Sequence, residues 1–251
     1  MFVTTRALVL REVKYKDADK ILTVLTADRG KLTVKAASAM RKTSKYCAAS
    51  QSFVFSEMTL FEKDGRYSLR EASCIEEFAP LRQDLRSLAL ASFFASVLEA
   101  VSDEDMAQSA LLQLGLNSLF AICHDLRERR QIKAAFEIRV MCLSGFEPDV
   151  SCCCVCGRED PERPMFSVSG GVMHCLECGP TQAGRSLPLC DGSLLAMRHI
   201  ISANAKNIFA FSIGGQAMER LSAIAEEYLL LHLDRSFRSL DYYKALGIVE
   251  K

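Results

Sequence analysis

Two Cys-x-x-Cys pairs, Cys153-x2-Cys156 and Cys175-x2-Cys178 with eighteen residues between them, constrain this chain more than any other feature of its sequence. Each pair forms a knuckle that can present two sulfurs to one ion at about 2.3 Å, and two knuckles at this separation match a tetrahedral zinc site of four thiolates. Gly157 and Gly179 directly follow the second cysteine of each pair, where a tight turn favours a residue that tolerates positive φ. Gly170-Gly171 offers a hairpin turn between the knuckles. Cys152 and Cys154 lack the x2 spacing to Cys156 and are expected to take no part. Four thiolates leave no open coordination position, so the zinc is expected to be structural and to fold a segment too small to fold alone. The His-x-Glu and Pro-Cys-x-x-Cys pattern of a zinc deaminase is not met, because Cys152 and His174 precede the two knuckles. Zinc with four thiolates is formally −2, and Glu159, Asp160 and Glu162 outweigh Arg158 and Arg163, so this module does not read as a phosphate binder.

The 251 residues include eleven cysteines. Arg6 and Arg11 break the first apolar stretch, which therefore lacks the uncharged core of a signal peptide. The expectation is a reducing, cytoplasmic compartment, where thiols bind metal more often than they form disulfides. Met106–Cys123 is free of charge but carries Gln108, Ser109, Gln113, Asn117 and Ser118, and it reads as a buried helix rather than a membrane span.

The pattern of the first eighty residues is β. Val3–Arg11, Lys20–Thr26, Lys31–Ala37, Gln51–Phe61 and Tyr67–Cys74 read as five short strands, with turn chemistry at Asp28-Arg29-Gly30 and Lys63-Asp64-Gly65. Five short strands in such a length suit a small closed barrel of the OB type. After Pro80 the period changes to that of helices, at Leu81–Val101, Met106–Leu126, Gln131–Ser144, Ser193–Ala203 and Gln216–Leu233. The predicted fold class is α+β and multidomain. Residues 1–80 form an OB-fold nucleic-acid-binding domain, and residues 81–251 form an all-helical domain with a zinc-module insert at about 149–188.

Total charge is zero, with 31 basic and 31 acidic residues, yet residues 1–50 hold eleven Lys/Arg against four Asp/Glu. A basic end of +7 on an acidic body points to a polyanion or an acidic partner. Lys31 and Lys35 share one strand face, Arg41, Lys42 and Lys45 follow beside Ser44 and Tyr46, and Lys14, Tyr15 and Lys16 lie between the first two strands. Cations that track phosphates with rings that stack on bases suit a single-strand groove on a barrel. Lys14, Lys16, Lys31, Lys35, Arg41, Lys42 and Lys45 are the expected contacts, whereas Phe53, Phe55 and Phe61 are expected in the core. The chain has no Gly-x-Ser-x-Gly, no phosphate-binding Gly-x4-Gly-Lys-Ser/Thr and no His-Glu-x-x-His, and its four histidines are scattered. No enzyme and no small-molecule substrate are expected. Two other readings fit a basic barrel with a zinc module: an RNA-binding factor of translation or RNA processing, and a protein-interaction scaffold.

Several stretches in order resemble the bacterial RecO family of recombination mediators. Ala7-Leu8-Val9-Leu10, Tyr15, Asp19-Lys20-Ile21-Leu22, Leu25-Thr26 and Gly30-Lys31 are similar to that family's opening. Lys35-Ala36-Ala37-Ser38-Ala39-Met40-Arg41-Lys42 through Ser44 resembles its basic loop, with Ser38 standing for the usual Gly and Met40 for a basic residue. Phe78, Leu81, Arg82 and Leu85 resemble its passage into the helical domain, the two knuckles match its zinc-bearing branch, and Leu233–Leu246 resembles its closing helix. The resemblance implies an OB barrel, a helical domain and a zinc module. It also implies a non-enzymatic role in DNA damage and recombination: binding of single- and double-stranded DNA, strand annealing, and recombinase loading with RecR onto DNA coated by single-strand-binding protein. Contact with the acidic C-terminal tail of that coating protein is implied too, as is a place in the bacterial cytoplasm at the nucleoid.

Overall fold

The computed structural model describes residues 1–41 and 43–248. It falls into two compact units: Met1–His124 together with the segment that begins at Phe237, and Asp125–Ser236. No helix among the described residues is long and apolar enough to cross a membrane.

In the first unit, β1 (Phe2–Tyr15), β2 (Asp19–Thr26), β3 (Gly30–Ala36), β4 (Phe55–Lys63) and β5 (Arg66–Glu76) close into a barrel in the order β1-β2-β3-β5-β4. Neighbouring strands are antiparallel except β3 and β5, which run parallel and meet at Val34–Tyr67 and Lys35–Ser68. This is the OB-like barrel expected from the strand spacing. Side chains alternate across each strand, and the inward set, with Ala7, Val9, Leu22, Val24, Leu32, Val34, Met58 and Leu60, makes the barrel core. The outward residues Leu8, Leu10 and Leu25 are buried as well. Two helices of the same unit, α1 (Leu85–Val101) and α2 (Ser109–Cys123), account for this: a Cβ on Gly115 of α2 would stand 3.4 Å from Leu8 and 2.8 Å from Leu98 of α1. That is why both faces of β1 are apolar in sequence. α1 starts at Asp84, whose carboxylate accepts the Ser87 N–H at 2.8 Å. Its burying faces lie on the barrel and on α6 (Arg238–Ile248), against which Phe93 meets Phe237 edge to face.

The β2–β3 turn is seated on the α1–α2 link. Lys31 N–H donates to the Asp103 carbonyl at 2.9 Å, and Gln108 N–H to that of Ala27 at 2.8 Å. Gly30 has φ +60°, and a side chain there would meet the carbonyl oxygens of Asp103 and Met106, so glycine is required twice over. β4 begins at Phe55 rather than Gln51. The difference arises at Phe53, whose φ of 70° and bond from its N–H to Val9 O at 2.7 Å make a turn out of the expected strand start.

The second unit contains α3 (Arg129–Leu143), α4 (Asp191–Ser202), α5 (Gly215–His232) and a small sheet of β6 (Pro164–Ser167), β7 (Val172–Cys175) and β8 (Ser186–Pro188) in the order β7-β6-β8. α3 and α5 are joined across their buried faces by Lys133, whose ammonium lies 2.6 Å from Glu137 and 2.9 Å from Glu226. Burial opposes the charge on Lys133, but the two carboxylates outweigh it and raise its pKa.

Candidate metal centre and nucleic-acid groove

The four sulfurs of Cys153, Cys156, Cys175 and Cys178 all lie within 4.8 Å of one another. Four thiolates at about 2.3 Å from a central ion stand about 3.8 Å apart in a tetrahedron, and the Cys156 and Cys175 sulfurs are 3.6 Å apart. The two knuckles are built alike. Gly157 N–H donates to Cys153 O at 2.9 Å and Gly179 N–H to Cys175 O at 3.1 Å, with φ of 73° and 72° at the two glycines. Cys175 ends β7 and pairs with Pro164 of β6, so sheet register sets the second knuckle. The first knuckle lies outside the strands and is tied to them by the Cys154 N–H donating to Met173 O at 2.9 Å.

Electrostatics suit a cation. Burial opposes ionisation of Cys153, yet N–H groups of Cys156, Val155 and Cys175 overcome it and lower its thiol from 9.0 to about 6. Cys175 is pushed the other way, to about 12, by burial and by the three neighbouring sulfurs. Cys178 is raised by its contact with Cys156 and then by burial. The Cys153 thiolate thus forms readily while Cys175 and Cys178 resist, and a divalent ion would supply the missing positive charge. Cys152 and Cys154 stand outside the cluster. His174, beside Cys175, is buried and bonded to the Cys175 carbonyl and the Ser186 hydroxyl, both at 2.9 Å.

The barrel carries an open groove of about 740 Å3. Tyr15 and Lys35 border it from β1 and β3, Phe61 and Lys63 from β4, and Arg66, Tyr67 and Arg70 from β5. Rings and cations are interleaved. Lys16 and Lys35 stand 5.5 and 5.7 Å from the Tyr15 ring centroid, and the Arg70 guanidinium lies 5.1 Å from that of Phe61. Phe61 is therefore a groove residue, half-buried and packed on Phe2 at 5.2 Å, and not a core residue as its sequence context suggests. Phe53 is buried as expected.

The cations singled out in the sequence have different surroundings. Lys35 lines the groove and lies 3.2 Å from Asp19. Lys31, on the same strand face, extends its ammonium to Glu99 O at 2.9 Å, near the C-terminal end of α1. Lys14 and Lys16 are exposed where β1 turns into β2, and Arg41 and Lys45 are exposed in the loop between β3 and β4. Lys45 covers the Tyr46 ring at 5.3 Å, and the Tyr46 hydroxyl donates to Arg70 O at 3.0 Å, which ties this loop to β5. Lys42 lies outside the described residues. The loop is pinned at its start: Ser38 has φ +55°, at the position where the resemblance expects glycine, and its N–H donates to Asp19 Oδ1 at 2.8 Å. That bond, followed by the one to Lys35, lowers the Asp19 carboxyl below its usual range. Lys63, Arg66 and Arg70 were not singled out in the sequence. The available signal was the basic flank of the Lys63-Asp64-Gly65-Arg66 turn, which in an OB-type barrel is the loop between the fourth and fifth strands, one of those that meet ligands.

A closed five-strand barrel with a basic, ring-lined groove, combined with helices and a four-thiol module, defines a class of barrel-and-helix proteins with a four-cysteine cluster able to hold a metal ion. Residues 1–78 match the model of the recombination protein O N-terminal domain, and residues 82–241 match that of its C-terminal domain. The chain is 30% identical to a DNA repair protein RecO of Acetivibrio thermocellus over 249 residues, 99% of each chain. It is 29% identical to that of Desulforudis audaxviator over 97% of each chain. Identity to that of Alkaliphilus metalliredigens is 27%, over 98% of this chain and 100% of the relative. The chain belongs to the recombination protein O family.

Proposed function

We propose that this chain is a non-enzymatic mediator of recombinational DNA repair that binds and anneals single-stranded DNA through the barrel groove. The observation that carries this reading is the groove itself, where Tyr15, Phe61 and Tyr67 alternate with Lys35, Lys63, Arg66 and Arg70. Rings offer stacking surfaces to any base, cations track the phosphates, and neither demands a particular sequence. Arg41 and Lys45 extend the track beyond the rim, with Lys42 beside them in sequence; Lys14 and Lys16 continue it at the β1–β2 turn, and Lys31, bonded to the Glu99 carbonyl, stands outside it. Residues 1–80 act as the nucleic-acid-binding domain and 81–251 as a helical domain bearing the module at about 149–188. Family membership supports DNA, single- and double-stranded, as the ligand. It likewise supports RecR and the acidic C-terminal tail of single-strand-binding protein as partners, recombinase loading as the outcome, and the bacterial cytoplasm at the nucleoid as the place. The metal held by Cys153, Cys156, Cys175 and Cys178 is zinc: the ligands are all soft thiolates, the cluster is closed, and the ion serves folding rather than chemistry.

The test is fluorescence-monitored annealing of complementary strands, bare and coated by single-strand-binding protein, for the parent and for a K63A/R66A/R70A variant. The parent accelerates both reactions and the variant neither. Equal annealing by the two proteins would overturn the groove assignment. An RNA of the same sequence that competes better than the DNA would favour an RNA factor instead, since only RNA offers a 2′-OH.

A further inference from the structure

Arg198 of α4 donates four hydrogen bonds to the first knuckle's loop, on both sides of the metal-binding pair. Its Nε reaches Val150 O at 2.8 Å, and its Nη2 reaches Ser151 O at 2.9 Å, both upstream of Cys153. Downstream of Cys156, Nη2 reaches Glu159 O at 2.6 Å and Nη1 reaches Asp160 Oδ1 at 2.8 Å. Four of the five guanidinium N–H donors converge on the neck of one loop, and the side chain is only 26% exposed. The second knuckle is held differently: β7 continues into it, and the Leu176 N–H donates to Arg163 O at 3.0 Å. The first knuckle has no strand of its own. Its upstream side is tied to β7 through Asp149, its own turn through Cys154, and its Cys153 N–H donates to Arg158 O at 2.8 Å, while Arg198 binds both flanks to the helix.

We propose that Arg198 is the positioning residue of the four-cysteine site, a clasp that holds the first knuckle as a unit against the second and so sets how fast the metal leaves. This rests on the reading of the cluster as a zinc site. The physical reason is loop entropy. With the neck closed, the two thiolates of the first knuckle stay preorganised when a zinc–sulfur bond breaks, and rebinding competes with escape. Without the clasp, the knuckle keeps its own Cys153–Arg158 backbone bond, but its flanks at 150–151 and 159–160 gain freedom as soon as one zinc–sulfur bond breaks. A planar, five-donor fork is needed because the acceptors, three carbonyls and a carboxylate, lie on both sides of the knuckle, which a lysine ammonium with its three donors cannot span in the same way. Partners outside the ligand set commonly change metal affinity by tenfold or more.

The test uses the full chain saturated with zinc and then mixed with an excess of a chromogenic chelator. The parent, R198M, R198K and R139M are compared for metal content, transfer rate and Tm. Arg139 is the control, because it donates to Ile200 O and Ile201 O of the same helix, at 3.3 and 2.6 Å, without touching the module. R198M and R198K should hold one zinc at saturation yet release it about tenfold faster or more. R139M should lower Tm at the parent's release rate. R198K carries the test should R198M fail to fold. Release at the parent's rate from a zinc-loaded Arg198 variant would overturn the clasp and leave the zinc reading intact. Equal acceleration in R139M would also overturn it, by showing general loosening. A parent with no bound zinc would overturn both.

Discussion

The cysteine module and the barrel groove are assembled on opposite principles. The module draws its four sulfurs from two four-residue knuckles, and the geometry within each is set by local backbone, with glycines at φ near 72° closing both turns. The groove draws its rings and cations from β1, β3, β4 and β5: the β4–β5 hairpin supplies Phe61, Lys63, Arg66, Tyr67 and Arg70, and only strand register brings Tyr15 and Lys35 to them. Spacing along the chain therefore announces a knuckle, whereas a groove exists only after strand register has been settled. The same contrast predicts their response to damage. Removing one ligand should collapse the module as a unit, while the groove should lose affinity in increments, one side chain at a time.

The largest effect is expected from C153S/C175S. Structural zinc in small modules contributes on the order of 10 kcal/mol of binding free energy that is also folding free energy. The variant should fall from one equivalent of metal to none and lose amide protection across about 149–188, while the barrel keeps its affinity for single-stranded DNA. An equal fall in DNA affinity with the barrel still folded would erase the contrast and make the module a direct ligand.

Next comes the groove. Each phosphate contact on a single strand contributes about 0.7 to the salt slope of log affinity. K63A/R66A/R70A should therefore flatten that slope by about two if all three cations are ligands, with zinc content and Tm unchanged. R41A/K42A/K45A, measured beside it, sharpens the comparison: a similar flattening extends the track onto the β3–β4 loop, and an unchanged slope confines it to the groove. Y15A should cost about 1–3 kcal/mol if its ring stacks on a base, as a shift in affinity with no change in salt slope.

Lys31 should behave as a structural residue despite its charge. Its ammonium bonds to the Glu99 carbonyl of α1, so K31M should lower stability by about 1 kcal/mol and leave the DNA salt slope intact. A flattened slope would show that this lysine leaves α1 for phosphate. The smallest effect concerns acid. Asp19 accepts from the Ser38 N–H and pairs with Lys35, and its carboxyl is lowered. A lowered folded-state pKa means that its contribution is complete above the ordinary carboxylate range and is lost as pH falls through the lowered value. The Ser38 amide resonance should move over that acidic interval in the parent and be insensitive to it in D19N.

The sequence alone determined the barrel strands, most of the helices and which four cysteines come together. Period-two alternation in Lys31–Ala37, turn residues at Asp28-Arg29-Gly30, and the two Cys-x-x-Cys pairs each express local geometry, which backbone dihedrals impose within a few residues. The tertiary structure alone decided which cations are available and which rings are exposed. Lys31 and Lys35 share a strand face and a sign of charge, yet one is bonded to α1 and the other lines the groove. Phe61 reads as core among alternating apolar residues, but it falls at a groove wall where Arg70 lies over its ring. Arg198 is one more arginine on an amphipathic helix until the fold places both sides of the first knuckle around it. These outcomes depend on strand register and on contacts such as Lys31–Glu99 and Arg198–Val150, between residues tens of positions apart. Side-chain type and local period constrain such contacts only weakly, because burial, pairing and exposure are properties of the assembled surface.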